Sequence, residues 1–281
     1  MRVIRWMTVA LLAETLAAWA GDTGTDPAHK YAWGENVGWL NAHSDHHTVT
    51  IHYSEGTGGW LTGHVWAENI GWIVMGSPGG GPYANDTAEN WGVNLAEDGK
   101  LSGYAWGENV GWINFEQVHG KPTINPANGD FWGYAWGENI GWVSFRGVSP
   151  DYGVRTLAFD TQPMGTPNWW LAVYGVTEAH DEGDGVPAWR KYIMDTNPNI
   201  EGDYLRIVSI TNEDGEAEVL FYPASSRRYY TLTATDDLTD VPAWDDVAGQ
   251  INIPGTGAEQ TLRDAVPSTS AFYRIRVEVN P

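Results

Sequence analysis

Tryptophan, glutamate, asparagine and a second tryptophan recur together four times in this chain. The fullest copy is Tyr104-Ala-Trp-Gly-Glu-Asn-Val-Gly-Trp-Ile-Asn-Phe115, and related copies run from Tyr31 to Leu40, His64 to Val74 and Tyr134 to Phe145. The chemistry open to such a set is sugar recognition. Pyranose rings present flat C–H faces that pack on aromatic rings, and neighbouring Asn and Glu side chains can hydrogen-bond hydroxyls. The same residues also suit pure architecture. Tryptophan is mostly buried and supplies large core area, and Glu108 with Asn109 at a turn can bond local amides. Trp33, Trp66, Trp106 and Trp136 are therefore either exposed platforms or a buried ladder, and the usual burial of indoles favours the ladder. Trp60 and Trp132 have no counterpart in the other copies, so they are further candidates for exposed sugar platforms.

A second cluster is His43, His46, His47 and His52, in His43-Ser-Asp-His-His-Thr-Val-Thr-Ile-His52. Imidazoles suit copper, zinc or nickel, and a loop around Asp45 and His46 could fold around an ion. A solvated polar loop is the alternative. Enzyme signatures are missing: there is no Gly-x-Ser-x-Gly elbow, no His-Glu-x-x-His and no phosphate loop. A glycosidase needs only two carboxylates, so that class stays open. Glu35, Glu68, Glu108 and Glu138 make a poor catalytic pair because they are equivalent. A motif in four copies reads as structural or multivalent rather than catalytic.

These residues must be positioned by β structure. Trp91 to Leu95, Leu101 to Trp106 and Trp112 to Phe115 read as strands, and Thr48 to Tyr53, Trp60 to Trp66 and Trp72 to Met75 match them in the second copy. Glu108, Asn109 and Val110 suit a type I turn, after which Gly111 supplies the left-handed residue that closes a three-residue hairpin with a bulge. Gly38, Gly71 and Gly141 hold the same place, and a positive φ is expected at all four. The turn sets Trp106 and Trp112 on adjacent strands. Such units cannot bury an apolar face alone, so neighbours share a core. Stacked β-hairpins in a solenoid or meander fit best, with a small propeller as the alternative.

The first key tryptophans of the copies are spaced by 33, 40 and 30 residues, so loops vary while the unit does not. Residues 21–147 form the repeat domain. Residues 148–202 read as a connector with a strand over Gly153 to Phe159, an acidic loop, and a short helix from Pro187 to Asp195. Residues 203–281 alternate as short strands and read as a small β-sandwich. The fold class is all-β.

Residues 1–20 read as an export signal: Arg2 and Arg5, an apolar run from Trp6 to Leu16, and small residues at Ala18 and Ala20. That run is too short to span a bilayer. The chain has no cysteine, so it has neither disulfides nor thiolate metal sites. Its net charge of −21, with sparse Lys and Arg, argues against nucleic acid as a partner.

Two resemblances follow from these residues. Over 28–147 the chain resembles the Tyr-Ala-Trp-x-Glu-Asn-Ile-Gly-Trp-Ile-Asn-Phe repeats of secreted bacterial proteins. From Trp169 onward it resembles a C-terminal module of large exported bacterial proteins, in which a Trp-Trp segment precedes a thrombospondin-type-3-like or EF-hand-like loop. A β-sandwich follows, ending here in Phe272-Tyr273-Arg274-Ile275. The second resemblance implies display on a surface or in a matrix. It also implies calcium at 180–191. With Gly185 at position six of a calcium loop, His180 falls at one, Glu182 at three and Asp184 at five, but Ala188 at nine and Lys191 at twelve are not ligands. The expectation is an exported, non-catalytic protein that binds extracellular polysaccharide or matrix glycan through repeated aromatic sites. Two alternatives are a structural spacer that assembles with itself and a copper- or zinc-binding protein built on His43 to His52.

Overall fold

The Glu-Asn-Val/Ile-Gly turns close the same hairpin four times. The computed structural model describes residues 21–239, 243–268 and 271–279; residues 1–20, read above as an export signal, lie outside them. The hairpins are Thr25–Gly34 with Gly38–Asn41, Gly58–Ala67 with Gly71–Val74, Leu101–Gly107 with Gly111–Asn114, and Tyr134–Gly137 with Gly141–Ser144. In each, the residue before the Gly donates its N–H to the carbonyl three residues back, as Val110 does to Gly107 at 3.1 Å. The closing glycines then take φ of 77° at Gly38, 80° at Gly71, 78° at Gly111 and 74° at Gly141. Only glycine enters that region at no steric cost.

Pairing makes the faces unequal. Ala105 lies opposite Ile113 and Trp106 opposite Trp112. Side chains alternate across a strand, so the Ala/Ile set faces one way and the tryptophans the other. Ala32, Ala67, Ala105 and Ala135, with Leu40, Ile73, Ile113 and Val143, are buried.

The hairpins are joined end to end in chain order. Leu40 and Asn41 pair with Ala67 and Trp66. Ile73 and Val74 pair with Gly107 and Trp106, and Ile113 and Asn114 with Gly137 and Trp136. Val143 and Ser144 then pair with Gly34 and Trp33, returning to the first hairpin. This is the meander of hairpins, closed into a cycle of pairings rather than open like a solenoid or split into blades. Its interior holds an apolar cavity of about 50 Å³ between residues such as Ala32, Ala105, Ala135 and Phe145. Strands His43–Ser44, His47–Ser54, Val93–Leu95, Arg146–Val148 and Asp151–Thr156 extend the cycle into a 13-stranded sheet.

The segment read as a connector is built into this first core. Val154, Ala158, Trp169, Trp170, Leu171, Val176 and Ala188 belong to the same buried cluster as the hairpins. A helix not expected from sequence, α1 (Asn168–Tyr174), carries the two tryptophans. The expected helix, α2, covers Ala188–Met194 with Pro187 at its N-cap. Beyond it stand a three-stranded and a four-stranded antiparallel sheet, sharing a separate core of Val219, Phe221, Tyr230, Leu232 and Leu262. Arg228, fully buried, fastens this unit to the rest. Its guanidinium donates to the carbonyls of Ile193 and Tyr192, each at 3.0 Å, and to Glu55 at 3.3 Å.

Candidate functional site

The outward face of the cycle carries the tryptophans. The expected buried ladder is overturned: Trp33, Trp39, Trp66, Trp72, Trp112 and Trp142 are exposed, with Trp72 and Trp112 each at 45%, and Trp106 and Trp136 are half-buried. The reason is strand alternation. Ala105, Ile113 and their equivalents take the inner face, and period-two alternation turns the indoles beside them to the outer one. Within each hairpin the two indoles meet across the strands, at 4.8 Å for Trp33–Trp39, 4.8 Å for Trp66–Trp72, 4.6 Å for Trp106–Trp112 and 5.2 Å for Trp136–Trp142. The first three pairs are edge-to-face, the arrangement the ring quadrupoles favour.

Each second tryptophan gathers further side chains. Trp39 is flanked by Tyr31 at 6.0 Å and Tyr152 at 5.1 Å. Trp112 is flanked by Tyr104 at 6.0 Å and Trp91 at 5.2 Å. In the second hairpin the flanking places belong to His64 at 6.0 Å and His47 at 4.8 Å from Trp72. In the fourth, Tyr134 lies 6.2 Å from Trp142, and the backbone of Gly120 comes so close that an added Cβ would meet the indole at 3.0 Å. Beside the Trp39 group a cleft of about 530 Å³ reaches Trp66 and Glu68 of the next hairpin and includes Asn41 and Asp151. Beside the Trp112 group a cleft of about 490 Å³ runs along Asn85, Asp86 and Thr87. Sequence reasoning placed the second tryptophans in the motif but did not single out Trp39, Trp112, Tyr152 or Trp91 as site residues. Period-two alternation would have found the first two. Tyr152 and Trp91 arrive from outside the hairpins, and nothing local marks them.

The motif's polar residues divide. Asn36, Asn69, Asn109 and Asn139 each donate to the carbonyl of the preceding turn, at Ile140, Val37, Ile70 and Val110, over 3.2, 3.1, 3.0 and 3.0 Å. Asn109, expected among the sugar ligands, therefore spends its amide on the fold. Glu35, Glu68, Glu108 and Glu138 remain exposed beside these turns.

Trp60 is not an open platform. His52 stacks on it at 5.2 Å with planes 13° apart, and Gly81 lies so close that an added Cβ would meet the ring at 2.4 Å. Trp132 is 47% exposed, with the Arg146 guanidinium 4.7 Å from its ring centroid.

The histidines do not form the expected metal site; no group of three or more His or carboxylate residues able to hold an ion occurs among the described residues. His43 and His47 lie on a tight hairpin, with Ser44 opposite His47. His47 bonds Ser44 at 2.6 Å and the carbonyl of Asn41 at 3.2 Å, and His46 is exposed. His52 lies five residues along the same strand, roughly 16 Å away and on the opposite face, bonded to Thr62 at 2.9 Å. Burial pushes its pKa down.

The acidic loop carries its own cation. Lys191, at the place of the twelfth calcium ligand, is buried and donates to Asp184 at 2.7 Å and to the carbonyl of Ile200 at 2.8 Å. That bond, with backbone amides of Gly202 and Val186, holds the Asp184 carboxyl at about 2. Glu182 pairs with His180 at 3.1 Å, and Asp195 bonds Arg227 at 2.6 Å. The calcium expectation at 180–191 is corrected accordingly: an ammonium group already occupies the charge-compensating position.

No helix among the described residues is long and apolar enough to cross a membrane. No family model, curated protein or solved structure matches the chain.

Proposed function

We propose that this chain is an exported, non-catalytic surface or matrix protein that binds glycan through the outward tryptophans of its hairpin cycle. The observation that carries this reading is an exposed indole in each of the four hairpins, paired with a second that is exposed or half-buried, with clefts beside Trp39 and Trp112. A fold has no need to leave so much aromatic surface in water, and contiguous exposed apolar patches mark binding surfaces. Asn41, Glu68 and Asp151 supply hydrogen-bonding groups at the edge of one cleft. The binding reading is favoured over the catalytic one because the four motif glutamates are equivalent and exposed, with none set apart by burial. The signal-like residues 1–20 support export.

The test is depletion of the full chain from solution by a panel of insoluble polysaccharides. Retention on one of them, weakened at least tenfold by Trp39→Ala with Trp112→Ala while the melting profile holds, supports the reading. Absence of retention on every polymer counts against it.

A second reading, assembly with copies of itself, has one observation in its favour. Strand Arg206–Glu213 is an edge of its sheet, and its Val208 and Ile210 are each 51% exposed. Unpaired strand edges are sites of association. Concentration-dependent sedimentation of the full chain tests it: a single monomeric species up to high concentration removes it.

A further inference from the structure

We infer that the chain carries two equivalent glycan sites facing opposite directions, and so cross-links separate glycan chains instead of gripping one chain at several points. This rests on the glycan reading above. The two sites are the aromatic groups Tyr31–Trp39–Tyr152 and Tyr104–Trp112–Trp91. They match in detail. The tyrosine of the first strand lies 6.0 Å from the central indole in both. The third ring lies 5.1 Å away at 84° in one and 5.2 Å away at 79° in the other. Each borders a cleft of similar size, about 530 and 490 Å³, and each cleft has an aspartate on its wall, Asp151 or Asp86. The third rings come from unrelated parts of the sequence, Tyr152 after the last hairpin and Trp91 before the third, yet they fill the same place.

The order of the cycle sets their directions. The sites belong to the first and third hairpins, and the second and fourth stand between them on either side. Residues opposite in a closed cycle, both facing outward, face away from each other. A stiff polysaccharide lying in one cleft cannot bend round the cycle into the other. Two sites joined with that geometry gain no avidity on a single chain, since avidity requires that one ligand span both. They can each hold a different chain.

The clefts also select charge. Glu68 and Asp151 line one and Asp86 the other, and neither lining contains Lys or Arg, although Lys30 Nζ lies 5.6 Å from the Tyr31 ring centroid. With the chain at −21 overall, uronate or sulfated polymers are repelled. The ligand class is an uncharged glycan, whose hydroxyls donate to the carboxylates while its C–H faces pack on the indoles.

Calorimetric titration of the full chain with cellohexaose, mannohexaose and chitohexaose tests the stoichiometry, and light scattering with hydroxyethylcellulose, galactomannan and glycol chitin tests the cross-linking. The expected result is two equivalents of one hexasaccharide per chain and a large rise in scattering with its matching polymer. Tyr152→Ala and Trp91→Ala should each leave one equivalent and abolish the rise, because these rings lie outside the hairpins. One equivalent for the unaltered chain overturns the two-site proposal but keeps glycan binding; this count needs no variant to fold. Binding of two equivalents without any rise in scattering overturns the cross-linking. No heat with any of the three sugars overturns the glycan reading and this proposal together.

Discussion

The side-chain amide of Asn36 donates to the backbone carbonyl of Ile140 at 3.2 Å, across a separation of 104 residues. The same bond joins Asn69 to Val37, Asn109 to Ile70 and Asn139 to Val110. Each turn thus holds its predecessor, and the first turn holds the last. The repeated asparagine is the fastener of a closed circuit.

Asn36→Ala is expected to cost as much stability as Asn109→Ala, about 0.5–1.5 kcal/mol for the lost hydrogen bond. In an open stack the first copy would have no predecessor to hold, and its asparagine would be dispensable. Urea denaturation of the two variants distinguishes these cases: equal losses agree with the circuit, and an unaffected Asn36→Ala contradicts it.

Gly111 has φ of 78°, and an added Cβ there would meet nothing nearer than 3.9 Å, at Trp106. The cost of a side chain is therefore in the backbone. Gly111→Val should destabilise the first core by about 2 kcal/mol or more, since left-handed geometry costs roughly 1–2 kcal/mol per residue and a β-branched residue is worse placed there than most. Gly111→Asn should be milder, because asparagine visits this region routinely. Equal melting temperatures for both variants and the parent would disprove the turn geometry.

Lys191 and Asp184 make stability depend on acid. The folded carboxyl titrates at about 2, below the value of roughly 3.9 for an unfolded aspartate. The unfolded chain takes up the proton first, so the contribution is complete above about pH 4 and lost as pH falls towards 2. Lys191→Met should flatten the stability profile in that window, and calcium should leave the melting temperature of the parent unchanged. A calcium-induced rise in melting temperature, or an unaltered acid slope in Lys191→Met, would contradict the internal-cation account.

Local pattern revealed the turn and hid the face. Gly111 and its equivalents are legible because a left-handed turn residue has one common chemical solution, glycine. The burial of Ile113 and the exposure of Trp112 were legible in principle, since adjacent strand residues face opposite ways. The general tendency of indoles to be buried pointed the other way and was wrong, because it ignores the alternation that gives the inner face to Ala105 and Ile113 and the outer one to their neighbours. Closure of the circuit was not legible: the pairing of Ser144 with Trp33 joins residues more than a hundred positions apart, with no local signature. Neither was the role of Tyr152, which reaches Trp39 only once Asp151–Thr156 has paired with the first hairpin. The calcium-like loop shows a related limit. Spacing suggested ligands, whereas Lys191 at one position decided their use.

The most direct test of the account is a nitrogen–proton correlation spectrum of the full chain, following each indole N–H while cellohexaose, mannohexaose or chitohexaose is added. With the sugar that is recognised, the signals of Trp39 and Trp112 should move together, while those of the buried Trp169 and Trp170 stay fixed. Shifts confined to the buried pair, or none at the outward indoles with any of the three sugars, would contradict the claim that this face binds glycan.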